Sequence, residues 1–170
     1  SLAFAPPSGS RADFAVEKAT ELGADHMQPL LCERLDRFPP RKAEKRRRRW
    51  ERKALEAAKQ CGRTKIPRIG NPVALEQFAG QEPAEMELVG HPGRNSGPLW
   101  KVLEAASGLP DTLGLVVGPP GGFTDRELAL LRQGGRRLVS LGPTTLRTET
   151  AVVAFLGCLL AWANRGPEAR

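Results

Sequence analysis

The stretch from Leu113 to Ala151 decides the fold, and it reads LGLVVGPPGGFTDRELALLRQGGRRLVSLGPTTLRTETA. It contains glycine-rich turns at residues 118–123 and 141–151. Each turn follows a short run of valines or leucines that is typical of a strand, and each precedes a helical pattern. Both turns are therefore expected at the carboxyl ends of strands, where open α/β sheets place their ligands. We interpret them as walls of one cofactor pocket.

Strands and helices alternate six times along the 170 residues, which predicts a single α/β domain with a mostly parallel sheet and helices on both faces. Strand patterns span residues 2–5, 27–32, 65–69, 85–89, 112–117 and 137–141. Helix patterns span residues 11–22, 42–60, 73–78, 99–106, 124–133 and 148–164. Thr124 and Glu127 have the spacing of a capping box at the start of the fifth helix.

Positive charge is concentrated in one segment of the chain. Lys and Arg number 26 against 19 Asp and Glu, which gives a net charge of +7, and much of the excess lies between Arg41 and Lys53. Such a block favours a polyanionic partner, nucleic acid above all. Arg46, Arg48 and Arg49 are its candidate phosphate contacts, although the same run is also compatible with a solvated helix face.

The cysteines and apolar runs indicate a cytoplasmic protein. Cys32, Cys61 and Cys158 are an odd number without metal-ligand or redox spacing, so we expect no metal site and a reducing compartment. The longest apolar run, from Ala151 to Ala163, is about 13 residues long, short of the roughly 20 that span a bilayer. The amino terminus has no basic segment or apolar core of a secretory signal.

The turn at residues 118–123 carries neither common phosphate-binding motif. No Lys-Ser/Thr pair follows the glycines, as a P-loop requires, and the spacing differs from the dinucleotide fingerprint. Two interpretations remain for Gly121 and Gly122. They form a plain turn that needs positive φ, or they let a ligand lie against the backbone while free helix amides face it.

The second turn places opposite charges at the start of an apolar helix. Glu149 at this position can simply favour the helix dipole. Arg147 has no such reason to be there, because a cation is disfavoured at a helix amino terminus. The pair is therefore either a structural salt bridge or part of an active site.

Several motifs, taken in order, resemble the RsmE-type family of 16S ribosomal RNA uridine-N3 methyltransferases, of the SPOUT class. They are RAD at 11–13, EKATELG at 17–23, QCGR at 60–63, GPPGGF at 118–123, and LG with LRTETA within 141–151. The resemblance implies a carboxyl-terminal trefoil knot. Sequence patterns alone would not predict one, because knots are almost absent from protein folds. The resemblance also implies S-adenosylmethionine as cofactor, a homodimer with sites near the subunit interface, and ribosomal RNA or the small ribosomal subunit as substrate.

Three cofactor loops follow from the same resemblance, and their expected cofactor-binding residues are Gly90, His91, Pro92, Gly118, Pro119, Gly121, Gly122, Leu141, Gly142 and Leu146. The family also carries an amino-terminal RNA-binding barrel related to the PUA fold, which this chain is expected to lack.

The implied reaction suggests roles for charged residues. Uracil N3 must lose its proton before or during methyl transfer, so positive groups that stabilise the developing anion are the expected catalysts. Arg147 and Arg11 are the best candidates, with Glu149 beside them. Lys18, on one helix face with Glu21, either positions RNA or pairs with that acid.

Arg63 directly follows the helix stop at Gly62, where it either binds a phosphate or caps helix carbonyls. Three residues depart from the family pattern. Pro120 and Lys59 stand where the family usually has Glu, and Thr144 stands where it usually has a basic residue. An alternative function is therefore an RNA-binding or ribosome-assembly module that keeps the knot without turnover. The full motif order disfavours an unrelated nucleotide-binding domain.

Overall fold

A parallel sheet forms the centre of the computed structural model, which describes residues 1–35, 38, 40–93 and 95–165. Within those residues the strands are β1 (Leu2–Phe4), β2 (His26–Leu31), β3 (Arg68–Ile69), β4 (Val73–Ala74), β5 (Met86–Gly90), β6 (Gly97–Pro98), β7 (Leu113–Val117) and β8 (Arg137–Ser140). The sheet order is β3-β2-β1-β7-β5-β8-β6, with β4 paired to β2, and every pairing is parallel. The predicted parallel sheet is confirmed.

The strand order brings distant loops together at one edge of the sheet. Gly90 at the end of β5 pairs with Val117 at the end of β7, and on its other side with Val139 in β8. Phe4 at the end of β1 also pairs with Val117. The loops that follow these strands therefore start side by side at the carboxyl edge. Whether they thread into a trefoil knot stays a prediction.

The helices match the sequence patterns closely. They are α1 (Ser10–Glu21), α2 (Ala43–Gln60), α3 (Leu75–Ala79), α4 (Leu99–Glu104), α5 (Asp125–Gln133) and α6 (Thr148–Ala163), and a 3₁₀ turn at Pro40–Lys42 precedes α2. The helix predicted from residue 73 starts two residues later, because Val73–Ala74 pairs with β2 instead. Gly97–Pro98 pairs with β8 in the segment between the predicted strand at 85–89 and the predicted helix at 99–106.

Alternate residues of each central strand face opposite layers of helices. In β1, Leu2 and Phe4 pack in one apolar cluster with residues of α1, α2, α4 and α6. Ala3, between them, packs in a second cluster with residues of α3 and α5. This alternation is the period-2 pattern of a strand buried on both faces. The prediction of helices on both faces is confirmed.

The predicted capping box is present at the start of α5. Thr124 Oγ1 accepts a hydrogen bond from Glu127 N at 3.2 Å, and Glu127 Oε2 accepts one from Thr124 N at 2.8 Å. The other oxygen of Glu127, Oε1, accepts a hydrogen bond from Glu33 N at 2.8 Å. Glu127 is 1% exposed. Through these hydrogen bonds its buried carboxylate joins the segment after β2 to the start of α5.

Replacement of Thr124 by alanine is expected to lower the free energy of unfolding by about 1 kcal/mol, since loss of a helix cap costs roughly 0.5–2 kcal/mol. Urea denaturation measures the change. Thr64, an exposed loop residue, provides the control, and Thr64→Ala is expected to leave stability nearly unchanged. Equal stability of the two variants would contradict the capping role.

Candidate functional site

Three loops enclose one cavity at the carboxyl edge of the sheet. They follow β5, β7 and β8, and the cavity between them has a volume of about 300 Å³. His91 N donates to Val139 O at 2.9 Å, which ties the first loop to β8. Thr148 Oγ1 donates to Gly118 O at 2.9 Å, which ties the start of α6 to the second loop. The volume lies at the lower end of the range of about 300–1,000 Å³ for small-ligand sites.

All ten residues predicted to bind the cofactor line this cavity. They are Gly90, His91, Pro92, Gly118, Pro119, Gly121, Gly122, Leu141, Gly142 and Leu146. The structure thus brings together residues that lie up to 56 positions apart in the chain, from 90 to 146. Their contact with a cofactor stays a prediction.

The glycines of the second loop are required for different structural reasons. Gly122 has φ of 71°, and its amide donates to Pro119 O at 2.8 Å to close the turn. Gly121 does not have positive φ, so the interpretation that this residue also requires it is wrong. A Cβ on Gly121 would instead lie 3.2 Å from Arg34 Cβ. A Cβ on Gly118 would lie 2.9 Å from the ring of Phe123, so packing accounts for that glycine.

The cavity wall is mostly apolar or backbone. Of its lining residues, all within the described ranges, Arg34 alone has a side chain with a permanent charge. Burial lowers the pKa of His91, and the positive charge of Arg132 lowers it further. The imidazole is therefore neutral at pH 7 and able both to donate and to accept a hydrogen bond.

The three predicted catalytic residues lie outside the cavity wall. Arg147 is the exposed residue that precedes the first turn of α6, and it adjoins Thr148, which does line the cavity. Glu149 is half-buried, and its Oε2 is buried without a hydrogen-bond partner among the described residues. Such an unsatisfied carboxylate oxygen is unusual in a folded protein and is consistent with a functional position. Among the described residues, Arg147 and Glu149 do not form a salt bridge with each other.

Arg11 lies at the same edge of the sheet as the cavity. It sits in the first turn of α1, which follows β1, and its Nη2 donates to Ser8 Oγ at 3.0 Å. The structure therefore places Arg11 close to the carboxyl ends of the strands, but not on the cavity wall.

The predicted RNA-binding side chains on α2 have intramolecular contacts. The Arg46 guanidinium stacks 4.5 Å from the centre of the Phe38 ring. Arg48 Nε lies 2.8 Å from Glu44 Oε1, and Arg49 pairs with Asp13 of α1. The Arg48 pair is exposed and so contributes little to stability, which leaves Arg48 able to exchange its acid for a phosphate. Asp13 is buried, so release of Arg49 would leave that carboxylate without this partner.

Lys18 and Arg63 have structural partners. Lys18 Nζ lies 2.8 Å from Glu21 and 2.9 Å from Glu17, so the predicted pair with Glu21 is present. Arg63 Nη1 donates to Thr20 O at 2.8 Å and to Ala24 O at 2.9 Å. Arg63 therefore caps a helix carbonyl, which is one of its two predicted roles. The helix that it caps is α1, however, and not α2, which it follows in the chain.

Lining residues that lie outside the predicted loops include Arg34, Ser140 and Phe155. Ser140 directly precedes the second turn, and Phe155 follows it by about one turn of α6. Arg34 is different, because it comes from the segment after β2. Its position directly after a buried strand at the carboxyl edge was the available signal. Of the three departures from the family pattern, Pro120 and Thr144 line the cavity, whereas Lys59 lies near the end of α2.

Neither a membrane-spanning helix nor a metal-binding cluster is found among the described residues. None of the helices in residues 1–35, 38, 40–93 and 95–165 is long and apolar enough to cross a membrane. The same residues contain no cluster of three or more His, Cys, Asp or Glu side chains arranged to hold a metal ion.

A parallel sheet with a loop-built cavity at its carboxyl edge defines an α/β ligand-binding domain. Within that class, the sequence model of the RNA methyltransferase domain matches residues 1–160, so the chain belongs to the RNA methyltransferase domain family. The resemblance to RsmE-type proteins is confirmed by curated relatives. The chain is 37% identical over 159 residues to ribosomal RNA small subunit methyltransferase E of Synechocystis sp., and 31% identical over 163 residues to the Bacillus subtilis protein of that name.

Those matches cover 91% and 93% of this chain but 50% and 64% of the relatives. The chain thus spans about half to two thirds of their length. Solved structures of similar fold include two that contain S-adenosylmethionine. Lpg2936 from Legionella pneumophila, in complex with S-adenosylmethionine, superposes with a TM-score of 0.84 at 34% identity, over 94% of this chain and 65% of that one. Ribosomal RNA small subunit methyltransferase E from Neisseria gonorrhoeae, bound to S-adenosylmethionine, gives 0.83 at 29%, over 94% and 64%.

Proposed function

We propose that this domain transfers a methyl group from S-adenosylmethionine to small-subunit ribosomal RNA, at N3 of a uridine, in the cytoplasm. The observation that carries the proposal is the cavity at the carboxyl edge, whose wall contains all ten expected cofactor residues. Support also comes from two relatives of similar fold that were crystallised with S-adenosylmethionine. The uridine N3 target rests on the resemblance of the sequence motifs.

The cavity fits a ligand with an apolar and hydrogen-bonding body. Its wall combines the apolar side chains of Leu141, Leu146 and Phe155 with the backbone of two glycine turns. A Cβ on Gly122 or Gly142 would meet no atom within 4 Å, so the backbone at both positions borders open space. When bound there, S-adenosylmethionine supplies an electrophilic methyl group on a sulfonium.

The chain's own contribution is to hold and polarise the base. Uracil N3 becomes nucleophilic when it loses its proton, and the resulting negative charge spreads over the neighbouring carbonyl oxygens. A guanidinium placed beside those oxygens lowers the barrier. Arg147 is our main candidate because it adjoins the cavity at the start of α6 and its side chain is exposed. Arg11 and Glu149 remain proposed helpers at the same edge.

A second candidate function is an RNA-binding or ribosome-assembly module without turnover. Pro120 and Thr144 favour it, because both replace charged residues of the family pattern and both line the cavity. This candidate predicts cofactor or RNA binding with no methyl transfer.

Transfer of a labelled methyl group separates the two functions. The assay uses the 170-residue chain with radiolabelled S-adenosylmethionine, and it compares isolated small subunits with free ribosomal RNA. We expect labelled RNA whose digestion yields 3-methyluridine. Binding of S-adenosylhomocysteine in a calorimeter without any transfer would support the second function. If the chain binds neither S-adenosylhomocysteine nor RNA and transfers no methyl group, both functions are contradicted.

We also propose that the domain acts as a homodimer through one face of α6. Glu149 is the only charged residue of this helix, and Thr150, Cys158 and Ala161 are exposed on it. Ala154 and Gly157 are half-buried beside them. An uncharged exposed face on a mostly apolar helix is typical of a surface that another protein covers. A second copy of the chain is the partner that the family resemblance implies.

Thiol reactivity provides a test of this interface. Cys61 and Cys158 are both exposed in the single chain, whereas burial raises the pKa of the half-buried Cys32 thiol. In a dimer, we expect Cys158 to react with a thiol reagent at least about tenfold more slowly than Cys61, because the thiolate must be accessible to react.

Ala161→Lys is the matched variant, since it places a charge one turn from Cys158 on an exposed position. Sedimentation should show a dimer for the unmodified chain and a monomer for the variant, with Cys158 reacting quickly only in the variant. A monomer at micromolar concentration with two equally reactive thiols would contradict the interface.

A further inference from the structure

Arg34 lies at the mouth of the cavity and has no role in the proposals above. It follows β2 by three residues and lines the cavity with an exposed side chain. Its Nη1 donates a hydrogen bond to Gly121 O at 3.1 Å. A Cβ on Gly121 would lie 3.2 Å from Arg34 Cβ and 3.5 Å from Cδ, so the aliphatic stem passes close to the glycine turn. The residue thus connects the end of β2 with the second loop.

Several contacts hold the backbone of this segment in place. Glu33 N donates to the buried Glu127 Oε1 at 2.8 Å, and the Glu33 carboxylate pairs with Arg126 at 2.8 Å. Leu35 N donates to Cys32 O at 3.1 Å, which closes a turn around Arg34. Because the neighbouring residue is anchored to the first turn of α5, Arg34 leaves the backbone at a defined position beside the cavity.

Among the described residues, no acid at the mouth balances the charge of Arg34. A guanidinium has five N–H donors, and the contact with Gly121 O uses one of them. The nearest acid along the chain, Glu33, is already paired with Arg126. None of the residues that line the cavity, all of them in the described ranges, carries a carboxylate. The donors of Arg34 that have no partner among the described residues suit an anionic ligand that approaches from solvent.

We propose that Arg34 binds a phosphate of the RNA strand beside the target nucleotide, an inference that rests on the proposed function and names a contact for its substrate. A planar guanidinium matches the two oxygens of a phosphate, and such contacts position the nucleic acid without reading its sequence. The cofactor offers the guanidinium a single carboxylate and also carries a cationic ammonium and sulfonium, so the test below measures its affinity separately from that of RNA.

The basic half of α2 extends the same positive surface. Arg49 in α2 pairs with Asp13 in the first turn of α1, which starts at the carboxyl edge after β1. The amino-terminal half of α2, which contains Arg46, therefore lies toward the edge that holds the cavity. A strand whose target base enters the cavity can pass Arg34 and continue toward these arginines. The link to Gly121 O also joins the RNA contact to a loop of the cavity wall.

The test measures RNA binding and cofactor binding separately in Arg34→Gln and Arg34→Lys. Fluorescence anisotropy with a small-subunit RNA fragment at several salt concentrations gives RNA affinity, and calorimetry with S-adenosylhomocysteine gives cofactor affinity. For Arg34→Gln we expect RNA binding about tenfold weaker and a salt slope flatter by about 0.7–0.9, the contribution of one phosphate. Cofactor affinity should stay within about twofold, and Arg34→Lys should restore the slope.

Arg137→Gln is the matched control, because Arg137 is exposed at the opposite, amino end of β8. It should leave the salt slope of RNA binding unchanged, and thermal melting checks that each variant is folded. Equal loss of cofactor and RNA affinity in Arg34→Gln would overturn the proposal by making Arg34 a cofactor residue. An unchanged salt slope would overturn it as well. If the unmodified chain binds no S-adenosylhomocysteine, the proposed function fails, while the RNA measurement still decides the role of Arg34.

Discussion

Gly122→Val is expected to weaken binding of S-adenosylhomocysteine by as much as about a hundredfold while the protein stays folded. Gly122 has φ of 71°, a left-handed conformation that β-branched residues strongly disfavour. The strain, roughly 1–3 kcal/mol, is large enough to rearrange an exposed loop but smaller than the stability of a typical domain. Loss of the hydrogen bond from Gly122 N to Pro119 O would then open the turn that forms one cavity wall.

Gly121→Ala is the control for this variant. Gly121 lacks positive φ, and the added Cβ would lie 3.2 Å from Arg34 Cβ and 3.6 Å from Arg34 O. We therefore expect a change in affinity of no more than about threefold, since a neighbour has to move by only a few tenths of an ångström. Calorimetry measures both affinities, and thermal melting confirms folding. An unaltered affinity in Gly122→Val would show that the second loop does not shape the cofactor site.

The central part of the fold was predictable because local patterns and tertiary structure agree there. The run from Leu113 to Val117 is apolar at every position except Gly114, which is the pattern of a strand buried on both faces. Thr124 and Glu127 mark the start of α5 by side-chain chemistry alone. Such consistency between local preference and global fold is what lets a sequence specify one structure.

Very short strands and long-range charge pairs were not predictable in the same way. Two-residue strands such as Gly97–Pro98 have no periodicity, and they exist only because a neighbouring strand offers hydrogen-bonding partners. The partner of Arg49 is Asp13, 36 positions earlier in the chain. A helical face that looks free in the sequence can therefore be partly neutralised by another element.

The candidate site was also predictable from the sequence only in part. Its three loops were predicted by motifs that the family resemblance supplied, and parallel strands then brought the loops to one edge. Arg34 was missed because it reaches the cavity from 87 positions before its hydrogen-bond partner Gly121. Sequence spacing also could not separate Gly121 from Gly122, since only the folded backbone reveals which of the two has positive φ.

Arg147→Ala is expected to lower the rate of methyl transfer by about ten- to a thousandfold while cofactor affinity changes much less. A group that acts only on the charge developing in the transition state affects turnover more than ground-state binding. Arg147 precedes the first turn of α6, so its removal takes an unfavourable cation away from a helix amino terminus. Stability should therefore stay the same or rise slightly, which separates this effect from misfolding.

Single-turnover kinetics with saturating S-adenosylmethionine isolate the transfer step, and calorimetry with S-adenosylhomocysteine reports cofactor binding. Arg165→Ala removes the same charge from an exposed position just beyond the opposite end of α6 and should leave the rate unchanged. If Arg147→Ala loses cofactor affinity and turnover in equal measure, Arg147 shapes the cavity through its neighbour Thr148, whose hydroxyl donates to Gly118 O at 2.9 Å. A selective loss of turnover, by contrast, requires the guanidinium to act on the base itself, because the cavity wall would then be intact.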